Sequence, residues 1–202
     1  ESAAEGGVAI ESREAHLIQG GVPVADGLVA GIRSVNGVYF DENRARTMFI
    51  SYDDTVLAGT QGGYGHEKTD RMMELANELS VPLIFHCEGA GGRSSDIHGP
   101  SSAGHPYVRT WEKMAALSGT VPMIGLTAGW CYAGNAAILG VTDIIIATED
   151  ALIAMGGPAT IEGTDMGTFL PEEVGPMSDL APAGSVDILV KTQDEAIATS
   201  KK

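Results

Sequence analysis

Apolar positions in this chain fall into short runs separated by stretches that carry a single apolar face. Residues 81–85, 121–126 and 143–147 are nearly continuous Val, Ile, Leu, Phe and Met, the pattern of strands buried on both faces. Residues 27–40 intersperse Val, Ile and Tyr with Gly and predict a pair of strands; residues 47–52 add another strand to the same sheet, and residues 186–190 a last one. Residues 66–80 predict a helix, because Met72, Leu75, Ala76 and Leu79 recur at the i, i+3, i+4, i+7 spacing. Further helices are expected at residues 107–117, with Val108, Trp111, Met114 and Ala115 inward, at residues 133–139, and from Asp194 onward. Pro171-Glu172-Glu173 has the proline and acids of a helix start. Residues 59–65, residues 89–106 and the MGGPATIEG stretch after Ile153 read as loops. Alternating strands and helices predict an α/β layered domain with mostly parallel pairing.

Two of the strands share an ending. VPLIFHCEGAGGR and VPMIGLTAGWCYAGN both run from Val-Pro through an apolar core and a cysteine to an Ala-Gly pair, at Ala90-Gly91 and at Ala133-Gly134. Glycine lets a ligand approach the main chain, so the amides there can point into a cleft. Two such turns on neighbouring strands could aim their N–H groups at one oxygen, the arrangement that stabilises a thioester enolate or a tetrahedral oxyanion. Tight packing turns would carry the same glycines. GTQGGYGHEKT, residues 59–69, is either a flexible turn before a helix or a contact for a ligand phosphate or pantetheine arm. It lacks the GxxxxGK[ST] spacing, since His66 and Glu67 separate Gly65 from Lys68. Arg93 follows the first glycine turn directly, where it either locks the loop or meets an anion.

The remaining chemistry thins out on inspection. His86-Cys87-Glu88 has the His-x-Glu of a zinc deaminase but no Pro-Cys-x-x-Cys after it, and His86 reads as a core-edge histidine. His98 and His105 read as solvated loop residues. No Gly-x-Ser-x-Gly elbow occurs, so a serine hydrolase has no support. Cys87 and Cys131 are too few for a disulfide framework or a thiolate metal site; they read as small buried hydrophobes in a reducing cytoplasm, and no metal is expected. A formal charge of −15 argues against nucleic acid and acidic lipid as partners. Residues 121–141 carry no formal charge, yet Pro122, Asn135 and four glycines fit a buried strand, turn and helix better than a membrane span. The start at Glu1 has neither Met nor a signal-like segment and is expected to be processed.

Taken together, the strings YDDTVLAGTQGGYGHEKTDRMMELA, PLIFHCEGAGGR, CYAGNAAILGVTDIIIATEDALIAMGGPATIEG and PEEVGPM resemble the N-terminal half of the carboxyltransferase component of biotin-dependent acyl-CoA carboxylases, the acetyl-CoA and propionyl-CoA carboxylase group. The likeness runs from about Gly27 onward. It implies an N-terminal extension over residues 1–26 and a crotonase-like (ClpP/crotonase) spiral of ββα units over residues 27–202. It also implies a homo-oligomer with its site at a subunit interface. In that family the N-terminal half holds acyl-CoA, while a second half of the same fold completes the biotin pocket. Carried over, the resemblance assigns oxyanion donors to Ala90, Gly91 and Gly92 in the first turn and to Ala133 and Gly134 in the second. Contacts to the CoA thioester fall to Gly62, Gly63, Lys68, Arg93, Gly156 and Gly157.

The implied reaction moves carboxylate from carboxybiotin, on a biotin carboxyl carrier, to the α-carbon of an acyl-CoA through an enolate. It needs no side-chain base. An acyl-CoA decarboxylase of the same fold and a non-catalytic acyl-CoA-binding or assembly fragment are the alternatives. Two departures stand out: Ala90 replaces a glycine, and residues 94–105 do not match the family's loop. No second crotonase-like half, biotinyl Met-Lys-Met or biotin carboxylase segment occurs, so the chain is expected to be a fragment or one subunit of a split enzyme.

Overall fold

The computed structural model describes residues 27–93 and 109–202. Six strands form one sheet in the order β1 (Leu28–Ser34), β2 (Arg46–Tyr52), β3 (Leu83–His86), β4 (Met123–Thr127), β6 (Ile144–Thr148) and β8 (Ile188–Val190). β1 runs antiparallel to β2, and every later pairing is parallel. A second, two-stranded parallel sheet joins β5 (Trp130–Tyr132) to β7 (Leu152–Ala154).

Three helices cover one face of the large sheet: α2 (Gly63–Leu79), α3 (Thr110–Leu117) and α4 (Gly134–Val141). Met72, Met73 and Ala76 of α2, Met114 and Leu117 of α3, and Ile138 and Leu139 of α4 are buried in one cluster with Met48, Ile50, Leu83, Phe85 and Met123 of the strands. Each of the Met, Leu, Ile and Phe side chains contributes about 1.5–3 kcal/mol by leaving water. The other face buries Ile84, Leu126 and Ile146 beside Ala196 of α7 (Gln193–Ser200). Short helices α1 (Glu42–Ala45), α5 (Pro158–Gly163) and α6 (Met177–Leu180) fill connections.

The repeat is visible in the hydrogen bonding. After β4 the chain enters the small sheet as β5 and then turns into α4; after β6 it enters the same sheet as β7. Vestiges of that second strand follow β3, where Gly89 bridges Cys131, and β2, where Gln61 bridges Gly92, both in parallel sense. These are ββα units laid side by side.

α2 ends at Ser80 in the left-handed region, φ 51°, with its N–H on the Ala76 and Asn77 carbonyls. α3 is capped from outside: Asp70 accepts the Thr110 hydroxyl at 2.6 Å and the Arg109 amide at 3.1 Å. Thr110 therefore accepts from Nδ1–H of His66, 2.9 Å away. Burial depresses the His66 pKa and raises that of Asp70, against the pull of its hydrogen bonds.

The structure corrects several expectations. Residues 27–40 hold one strand, not two: Asn36 at φ 56° starts a turn that leaves Val38 and Tyr39 92% and 82% exposed. The buried face of α2 is His66, Thr69, Met72, Met73 and Ala76, while Leu79, the last residue of the helix, is 44% exposed; the helix also begins three residues earlier than its apolar periodicity. Ala115 is exposed. MGGPATIEG contains α5, opened by Pro158 at its first turn. Val108, His98, His105 and the loop over residues 94–105 lie outside the described residues. Among the described residues no helix is long and apolar enough to cross a membrane.

Candidate active site

Parallel strands β2, β3 and β4 deliver three bends to one edge of the sheet, the usual position for a ligand crevice in α/β folds. The first bend, residues 87–93, lies between the other two. Gly89 N–H donates to Trp130 O at 2.7 Å and Gly89 O accepts from Tyr132 N–H at 2.9 Å. Ala90 N–H donates to Ala58 O at 3.1 Å. Gln61 N–H reaches Gly91 O at 2.7 Å, and Arg93 N–H reaches Gln61 O at 3.0 Å.

The two Ala-Gly turns touch. A Cβ at Gly91 would fall 2.6 Å from the Ala133 Cβ and 3.5 Å from the Gly134 nitrogen. Gly91 also sits at φ +87°, which an L side chain rarely adopts. Gly134 opens α4, and a Cβ there would fall 2.2 Å from Oε1 of the fully buried Gln61. Gln61 thus joins both turns, its main chain bonded to the first and its side chain resting on the second.

The amides divide into used and open. Ala90 N–H is taken by Ala58 O, Gly91 N–H by Asn135 Oδ1 at 3.0 Å, and Ala133 N–H by Ala154 O at 2.9 Å. Among the described residues nothing accepts from Gly92 or Gly134 N–H. The parallel bridge directs Gly92's own amide away from Gln61, and Gly92 is exposed. Gly134 is the first residue of an eight-residue helix with no side-chain cap and no acid in its first turn, so its amide adds to the positive end of the helix dipole. Two open donors thus lie on turns that touch through Gly91 and Ala133.

The other sequence-predicted residues are placed as follows. Gly62 caps α2 and is buried; Gly63 begins that helix. Lys68 Nζ donates to Leu28 O at 2.6 Å, which commits its ammonium to β1. Arg93 Nη1 donates to Thr60 O at 2.7 Å, tying the first bend to the loop after β2. Gly157 caps α5 against Tyr132, whose ring a Cβ at 157 would meet at 3.3 Å. With Ala154 O holding Ala133 N–H, Gly156 and Gly157 lie in the segment beside the second turn.

Sequence reading passed over the polar residues that tie these bends together. Asn135 is fully buried: besides its bond from Gly91, its Nδ2 donates to Glu88 O at 2.9 Å and to Gly59 O at 3.3 Å. Glu88 Oε1 accepts Ala128 N–H at 2.6 Å and lies 3.1 Å from His86 Nε2; His86 Nδ1 meets Ser51 Oγ at 3.1 Å. Burial pushes the Glu88 carboxyl upward, but the bonds from His86, Ala128 and Gly129 outweigh it and leave the group below its ordinary range. The signal available in sequence was a lone carboxylate and a carboxamide among glycines and apolar residues. Cys87 and Cys131 are free and buried, with burial raising both thiols, so neither is poised as a nucleophile.

Residues 9–202 match the carboxyl transferase domain family. The uncharacterized carboxylase YngE of Bacillus subtilis is 32% identical over 91% of this chain and 35% of its own length. The methylmalonyl-CoA carboxyltransferase 12S subunit of Propionibacterium freudenreichii is 28% identical over 88% of the chain and 32% of its own. In structure, a single-chain, multi-domain long-chain acyl-CoA carboxylase superposes with TM-score 0.80 and 43% identity, covering 87% of this chain and 17% of that one. The transcarboxylase 12S hexamer core, solved with methylmalonyl-coenzyme A, gives TM-score 0.72 at 26% identity, over 91% and 34% of the two chains. The chain spans about a third of the length of these curated relatives. Its side-by-side ββα units form the crotonase-like fold, and the chain belongs to the carboxyl transferase domain family.

Proposed function

We propose that this chain is the acyl-CoA-holding half of a biotin-dependent acyl-CoA carboxyltransferase, with Gly92 and Gly134 as its oxyanion donors. The observation that carries the reading is the pair of open main-chain amides on two touching turns. As the α-proton leaves the acyl group, negative charge grows on the thioester oxygen, and fixed N–H donors already aimed at it need no reorganisation. One such donor lowers the barrier by about 3–4 kcal/mol. Carboxybiotin, brought by a carrier protein, would supply the carboxyl group; this chain binds, orients and stabilises the acyl side of the reaction. Ala90, Gly91 and Ala133 then act as the frame of the pocket, since their amides are spent within the fold. Gly62, Gly63, Gly156 and Gly157 supply small-residue backbone for the CoA arm, with Arg93 bracing the loop. A second crotonase-like half from a partner chain, homo-oligomeric assembly and a cytoplasmic location complete the proposal.

Incubation of the chain with malonyl-CoA and free biotin, with and without the second half of a relative, tests it. Acetyl-CoA appearing together with carboxybiotin only when both halves are present supports carboxyl transfer. Acetyl-CoA formed without carboxybiotin would instead mark a decarboxylase, and failure to bind any CoA ester would overturn the reading.

A further inference from the structure

We propose that Asn135 is the positioning residue of this site: its buried carboxamide sets the spacing of the two turns and decides which amides stay open, without touching substrate. The inference rests on the acyl-CoA reading above. Asn135 is the second residue of α4, yet its side chain crosses the helix end instead of capping it. Oδ1 accepts from Gly91 N–H at 3.0 Å, and Nδ2 donates to Glu88 O at 2.9 Å and to Gly59 O at 3.3 Å. One acceptor and two donors, the working complement of a carboxamide, all meet main-chain groups of the two neighbouring bends.

Two consequences follow from that geometry. Within Ala90–Gly92, taking the Gly91 amide leaves Gly92 as the open donor. Gly134, one residue before Asn135 on the same helix turn, is carried rigidly with the clamp, so the open amides keep a fixed relation. An ionised carboxylate at 135 would retain the acceptor but lose both donors and face two carbonyl oxygens. A protonated carboxyl regains one donor. Of the titratable neighbours, Glu88 is held ionised and the Cys87 and Cys131 thiols are held protonated, which leaves His86 to be controlled for.

The test uses wild type, Asn135→Ala and Asn135→Asp in the full chain, with acetyl-CoA and free CoA binding by calorimetry and Gly91 amide exchange by NMR. In Asn135→Ala, Gly91 should exchange at least about tenfold faster and acetyl-CoA should bind about tenfold more weakly, with free CoA unchanged. Asn135→Asp should behave like the alanine variant at about pH 8 and recover toward wild type at about pH 5.5, as the buried carboxyl protonates. The alanine variant has no carboxyl and controls for His86; if it does not fold, the aspartate variant at low pH carries the test. A folded Asn135→Ala with wild-type exchange and acetyl-CoA affinity, or an Asn135→Asp insensitive to pH, overturns the proposal. If wild type itself prefers acetyl-CoA no more than CoA, the functional reading fails, while Gly91 exchange still decides the clamp.

Discussion

The two glycine turns look like one device in the sequence and are two different devices in space. The first is extended chain: Gly91 takes φ +87°, its carbonyl and the Arg93 amide bridge to Gln61, and within Ala90–Gly92 only the Gly92 amide stays open among the described residues. The second is a helix start, where Ala133 takes the strained φ 50°, ψ −119° cap and Gly134 offers its amide with the α4 dipole behind it. In the first, glycine supplies conformation; in the second, it supplies room, because Gln61 occupies the space of a side chain. An Ala-Gly pair after a strand therefore marks a place where main chain must come close, without specifying which of the two residues bends or which amide is free.

Substitutions that separate conformation from room test this difference. Gly91→Ala must fail on both counts, at a positive φ and 2.6 Å from the Ala133 Cβ; urea unfolding should show a loss of about 2–4 kcal/mol. Gly134→Ala meets only the Gln61 side chain, Oε1 nearest and Cδ at 3.0 Å. It should cost about 1–3 kcal/mol, and a double-mutant cycle with Gln61→Ala should return about 1 kcal/mol or more as coupling. Additive effects would mean that Gln61 is not what reserves the site for glycine.

Glu88 links the turns by charge-assisted bonds, and Glu88→Gln should cost about 1–2 kcal/mol at neutral pH. The sign of its pH dependence is set by a carboxyl held below its ordinary range in the fold. Its stabilisation is complete above the titration of the unfolded chain and is lost as pH falls through the folded value. Wild type and Glu88→Gln should therefore converge in acid, as followed by thermal melts from neutral pH downward. A gap that persists in acid would show that the carboxylate charge contributes nothing. The smallest effect expected is Ala133→Gly, which relieves positive-φ strain against a greater unfolded-chain entropy and should stabilise by up to about 1 kcal/mol.

Much of the large sheet was legible because its strands are apolar on both faces. β3 and β4 are buried along nearly their whole length, and β6 is buried from Ile146 onward, with Ile144 at its start 41% exposed. β5 and β7 were not legible: three residues each, they are held by neighbouring bends more than by their own pattern. Helix α2 began earlier than its periodicity, since its first turn is glycine-rich and is fixed by His66 and Thr69 packing inward. At the candidate site, the sequence marked the two glycine turns that lie in contact but not which of their amides are open. Whether an amide is open depends on long-range bonds, from Ala90 to Ala58 and from Ala133 to Ala154, that no local string encodes.

The central claim is that Gly92 and Gly134 N–H jointly receive a thioester oxygen, and amide NMR of the full chain measures it directly. Acetyl-CoA, compared with free CoA, should move the Gly92 and Gly134 amide protons downfield and protect them from exchange, leaving Gly91 and Ala133 nearly still. Shifts confined to Gly91 or Ala133, or no difference between the thioester and CoA, would contradict the account.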